Sequence, residues 1–130
     1  MSVTDQIQEH RARCAAPLVS LRMLTHDEAG ASLSRRVVVE VAQATGTVLA
    51  EVEAAGRAAL AADGGHPGDE TFLRVRLDRL AAAADDAIAA ARAGESGEMR
   101  RHLHRFDALT SAIWTVQDAV YGSRPVSEAS

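Results

Sequence analysis

The chain has no lysine and no asparagine, a single cysteine, and only four aromatic residues in 130. Each shortage removes a kind of chemistry. Without lysine there is no Schiff-base nucleophile and no Walker-type phosphate lysine. Cys14 has no second thiol with which to form an internal disulfide or a zinc-binding pair. Glycine-rich phosphate loops and nucleophile elbows are missing too, and nothing in linear order singles out one serine. Enzymatic activity therefore has no support in these residues, and no catalytic residue, metal site or cofactor is expected. No apolar run approaches the roughly 20 residues that span a bilayer. No N-terminal stretch has the basic, apolar, small-residue order of a signal peptide. A cytoplasmic protein without a membrane partner is the expectation.

All fourteen basic residues are arginine, set against eighteen acids for a net charge of −4. That balance argues against nucleic acid as a partner, and the pairs Arg35-Arg36 and Arg100-Arg101 are too short to reverse it. Alanine makes up roughly a fifth of the chain and favours helix, because it loses no side-chain entropy there. A chain of 130 residues is long enough for one core and too short for two. One helical domain over 1–121 and a disordered tail over 122–130 are expected.

Apolar residues recur at helical spacing in four segments. The first, about Asp5 to Leu24, aligns Ile7, Cys14, Leu18, Leu21 and Leu24 on one face. Thr4 is its expected N-cap, and Pro17 predicts a kink near Arg13 to Pro17 or a helix that properly starts after Pro17. A polar stretch from Thr25 to Gly30 forms the first loop. The second segment, about Ser32 to Ala62, carries Leu33, Val37, Val41, Ala44, Val48, Val52, Ala55 and Ala59. A parallel line of Val38, Ala42, Thr45 and Leu49 lies beside it. Val37 to Val39 have strand propensity, but the helical period continues for several turns, so helix is predicted. Gly46 and Gly56 weaken this helix and mark either a bend or a close contact.

Asp63 to Asp69 is the clearest break, with Asp69 as the expected N-cap of a third segment, about Glu70 to Ala93. Its inward line is Leu73, Leu77, Leu80, Ala84, Ile88 and Ala91. Gly94 and Ser96 then supply a C-cap and an N-cap. The fourth segment, about Glu98 to Tyr121, aligns Met99, Leu103, Phe106, Leu109, Ile113, Val116 and Val120. Short connections between such segments predict an all-α, antiparallel up-down-up-down four-helix bundle, with the second helix longest. Two apolar lines facing an alanine-rich neighbour predict a homodimer.

Four groups of residues are candidates for function. His10 and Cys14, four apart, share a face at a spacing that suits a metal ion. Glu98 and His102 form a second such pair, although the Glu-x-x-His of carboxylate-bridged dimetal bundles is absent. Gly94 to Phe106, an acidic turn followed by Met99-Arg100-Arg101 and then His104, resembles the phosphorylatable helix of histidine phosphotransfer domains. That resemblance implies a signalling bundle in which His104 accepts a phosphoryl group. The family expects Lys and Gly three and four residues after the histidine, where this chain has Asp107 and Ala108. Pro17-Leu18 is similar to the dimerisation helix of sensor histidine kinases, but Ala12 stands where their histidine would be.

The fourth candidate is a surface. Leu103, Asp107, Thr110, Trp114, Gln117 and Tyr121 form a mixed stripe on the last segment, and Trp and Tyr are enriched at interface cores. Leu103, Trp114, Gln117 and Tyr121 are accordingly the expected partner interface. A non-enzymatic adaptor or regulatory protein is the leading expectation, with itself or another protein as partner. A phosphotransfer protein using His104, or a metal- or cofactor-binding bundle, stands as the alternative.

Overall fold

A computed structural model describes residues 2–26, 35–62 and 67–117, and every element among them is helical. They form α1 (Val3–Arg13), α2 (Ala15–His26), α3 (Arg35–Ala62), α4 (Pro67–Arg92) and α5 (Ser96–Gln117). The first predicted segment is therefore two helices, divided at Cys14. Pro17 explains the division: as the third residue of α2 it falls in a first turn, where a helix leaves its N–H groups without partners. Thr4 is not the cap of α1. Ser2 takes that place, its hydroxyl accepting from the Asp5 N–H at 3.2 Å while the Asp5 carboxylate accepts from the Ser2 N–H at 3.4 Å. An acid three residues on completes this reciprocal box for Ser2, and Ile7 in the position after Thr4 does not.

The Val37–Val39 run lies inside α3, which at 28 residues is the longest described helix. Its line from Val41 to Ala59 is buried. The second line behaves differently: Thr45 is buried, while Val38, Ala42 and Leu49 are only half-buried. Gly56 marks a close contact, since a Cβ there would sit 2.6 Å from Leu73 Cδ1. Gly46 faces open space.

The helix α4 starts at Pro67, two residues before the Asp69 expected to cap it. Proline suits the first position of a helix because its missing N–H is one the helix cannot use. At the far end Gly94 adopts φ +75°, its N–H donates to Ala91 O at 3.1 Å, and the Glu95 N–H reaches Ala90 O at 2.9 Å. This is a Schellman closure, the arrangement that a glycine with left-handed backbone permits. The Glu95 carbonyl then accepts from the Met99 N–H at 2.9 Å, so Glu95 rather than Ser96 caps α5.

Buried residues from all five helices join in one core cluster. The main contacts are α1 and α2 with α3, α3 with α4, α4 with α5, and α2 with α5, with α1 also touching α2. From α4 the buried part of the core receives Leu80 with Ala83, Ala84, Ala87, Ala90 and Ala91, and Leu77 and Ile88 pack against it partly buried. From α5 it receives Met99, Leu103, Phe106, Ile113 and Trp114. The α5 backbone can come close to α4 because alanine is small, and α5 supplies the bulk that fills the space.

The inward register of α5 differs from the predicted line. Its buried residues are Met99, Leu103, Phe106, Thr110, Ile113, Trp114 and Gln117, whereas Leu109 is half-buried and Val116 exposed. Spacings of four and three from Met99 lead to Thr110 and Gln117. The hydroxyl makes this possible, because Thr110 Oγ1 donates to the Phe106 carbonyl at 2.9 Å and enters the core satisfied. Thr45 does the same toward Val41 O at 2.7 Å. Val120, Tyr121, the tail from Gly122, and most of the two expected loops lie outside the described residues.

Candidate functional site

The four candidate groups fare differently. His10 does not turn toward Cys14. Its Nδ1 lies 2.6 Å from Glu51 Oε2 on α3, and Arg13 Nη1 approaches the same carboxylate oxygen at 3.6 Å. The pair ties α1 to α3 at a half-buried position. Cys14 is fully buried. Desolvation, with a smaller contribution from the Glu51 charge, pushes its thiol up to about 11. Among the described residues, no three His, Cys, Asp or Glu side chains converge as a metal site.

A thiol held protonated is a poor nucleophile, because the thiolate is the reactive form. Native protein at pH 8 should therefore label slowly with a thiol reagent, and denatured protein quickly. A native rate equal to the denatured one would contradict the burial of Cys14. The stability consequence has a definite sign. The unfolded thiol ionises near its ordinary value of 9.0, while the folded one keeps its proton to about 11. The contribution is whole below pH 9 and is lost as pH rises toward 11.

Glu98 sits 2.6 Å from Arg101 and 3.8 Å from His102 Nε2, which makes it the centre of a surface ion-pair group. His104 is exposed. Asp107, one turn further on, is held by Arg22 of α2 through two bonds, Nε to Oδ2 at 3.1 Å and Nη2 to Oδ1 at 2.9 Å. That hydrogen bonding, with the aspartate charge, raises the Arg22 pKa above its ordinary value.

The aromatic stripe is mostly internal. Leu103, Thr110, Trp114 and Gln117 are all buried, Trp114 to 4 % exposure, and Tyr121 lies outside the described residues. Of the expected partner interface, Leu103, Trp114 and Gln117 pack within their own chain. Arg11 of α1 lies over the Trp114 ring at 5.9 Å. Trp114 Nε1 and Gln117 Oε1 are buried without a hydrogen-bond partner among the described residues.

Apolar surface is exposed elsewhere. Phe72 is 54 % exposed and Val75 44 %, both on α4, and Val116 of α5 is exposed as well. Phe72 and Val75 line an open groove between α4 and α5 whose other walls include Leu109, Ala112 and Ile113. Its polar lining consists of Arg76 and Arg79. The Arg76 guanidinium lies 4.2 Å from the Phe72 ring centroid, a cation–π contact that holds the exposed ring in place. The cleft on the other side of α4 is chemically unlike it. There Arg57 stands 3.7 Å from both Glu53 and Glu70, so the charges satisfy one another.

A pattern in the sequence could have found the groove. Phe72, Val75, Arg76 and Arg79 recur at three, four and seven, one residue out of step with the inward line through Leu73 and Leu80. Such a second stripe on a helix already supplied with a core face is surplus to folding. Among the described residues, no helix is long and apolar enough to cross a membrane. Comparison of the chain with protein-family models, with curated proteins and with solved structures gave no match.

Proposed function

We propose that this chain is a non-enzymatic adaptor or regulatory protein of the cytoplasm, built as an antiparallel up-down-up-down helical bundle and working through protein–protein contacts. The carrying observation is the α4/α5 groove, where exposed Phe72 and Val75 lie beside two arginines. Apolar side chains grouped on a surface and rimmed by charge mark interaction sites. The antiparallel topology is supported by cross-helix pairs whose numbers run in opposite directions. Asp86 pairs with Arg105 at 3.7 Å, while the groove sets Phe72 and Val75 of α4 beside Ala112 and Ile113 of α5. The break at Cys14 makes α1 and α2 together the first of the four segments.

Self-association has its own support in α2, where Ala15, Val19 and Met23 are exposed four residues apart, Met23 to 69 %. Light scattering at tens of micromolar checks it, and a strictly monomeric result removes the homodimer. A phosphotransfer role would rest on the exposure of His104 alone.

The adaptor reading is tested by Phe72→Glu. The side chain is more than half exposed, so a charge there should leave helicity and melting temperature nearly unchanged. Association with proteins of the host extract should fall several-fold relative to wild type. Unchanged association alongside unchanged folding would remove the reading.

A further inference from the structure

We propose that the α4/α5 groove receives an amphipathic helix of a partner protein, with an apolar ridge flanked by Asp and Glu. This rests on the adaptor reading and names the chemistry of the partner at that site. The groove has the period of a helix. Phe72, Val75, Arg76 and Arg79 lie along one wall at three, four and seven, and Leu109, Ala112 and Ile113 along the other at three and four. A third helix laid between them meets an apolar contact at each turn, which is how helix-in-groove recognition works. From Phe72 to Arg79 the α4 wall extends seven residues, or roughly 10 Å at 1.5 Å per residue, which meets about two turns of a docked helix.

Charge selects the partner. Among the described residues, none that lines the groove is acidic, and neither Arg76 nor Arg79 pairs with a carboxylate. The apolar floor places both guanidinium groups beside any helix seated there, where carboxylates on its flanks would meet them. A second copy of the chain docking by the same face would bring Arg76 and Arg79 toward their own duplicates, a like-charge arrangement. The chain as a whole is at −4, so diffuse attraction favours basic partners. A preference for an acidic one must come from the groove itself.

The probes are two labelled synthetic helices of about four turns, with identical leucine ridges and with either Glu or Lys on the flanks. They are titrated into the full chain by fluorescence anisotropy at low salt. The Glu helix should bind roughly tenfold tighter than the Lys helix, the scale expected of two exposed charge pairs. The double variant Arg76→Glu, Arg79→Glu should lose or reverse that preference, with its helicity checked by circular dichroism. Arg36→Glu with Arg74→Glu changes the net charge equally at exposed positions outside the groove, and should retain the preference.

Equal binding of the two helices, binding of neither, or equal loss in both double variants overturns the proposal. A dimer that the Glu helix does not displace and that Phe72→Glu dissolves also overturns it, by giving the groove to a second copy. The adaptor reading fails by a separate result, host association that is indifferent to Phe72→Glu.

Discussion

Trp114→Ala is expected to lower the stability of the folded chain by about 3–5 kcal/mol, the usual cost of deleting a large aromatic from a core. The indole is 4 % exposed on the inward face of α5, with the Arg11 guanidinium of α1 over its ring. Removing it opens a cavity beside Gln117, whose buried Oε1 has no hydrogen-bond partner among the described residues. Part of the loss should be offset, because the unpartnered Trp114 Nε1 costs about 1–3 kcal/mol while it remains buried. Small domains unfold with only about 5–15 kcal/mol in total, so the melting temperature should fall by roughly 10 °C or more. Thermal denaturation followed by circular dichroism reads the shift. An unchanged melting temperature together with lost association would return Trp114 to the surface.

Phe106→Ala should be at least as damaging. Among the described residues Phe106 is the largest fully buried side chain, and α4 buries Leu80 and five alanines, with Leu77 and Ile88 partly buried against the core. The change would open a cavity in a core to which α4 contributes mostly alanine. Alanine has little length with which to fill a void, so much of the cavity cost should remain. Urea denaturation should show a loss of about 3–5 kcal/mol with an unchanged slope. A loss below about 1 kcal/mol would mean that α5 is not the element supplying bulk to the core.

The helices were legible in the sequence because their apolar period runs for several turns. The breaks were legible because proline and glycine act locally: Pro17 announced the division at Cys14, and Gly94 its left-handed cap. Register was less legible. On α5 an apolar scan selects Leu109 and Val116, whereas the core takes Thr110 and Gln117. A hydroxyl bonded to its own helix is polar in composition and apolar in effect, and a scan of residue types does not see that bond. The same slip turned Trp114 outward. Once α5 is rotated to its observed register, the indole enters the core and Val116 joins Phe72 and Val75 at the surface.

The candidate site was hidden for a related reason. Three of the four aromatics fall on the last predicted segment, whereas Phe72 is the one aromatic of α4 and stands one residue outside the Leu73 line. Histidine pairs at spacing four also drew notice, yet spacing along one helix does not reveal partners on another. Glu51 of α3 takes His10, and Arg22 of α2 takes Asp107. Such pairings are long-range in sequence and follow from which helices are neighbours.

Site-specific photo-crosslinking in the host cell tests the groove most directly as the working surface. A photoreactive residue replaces Val75 in the groove, and in a parallel strain it replaces Val39, a comparably exposed apolar position on α3. Discrete protein adducts at position 75 and none at 39 are the predicted result. Adducts at 39 with none at 75 would contradict it.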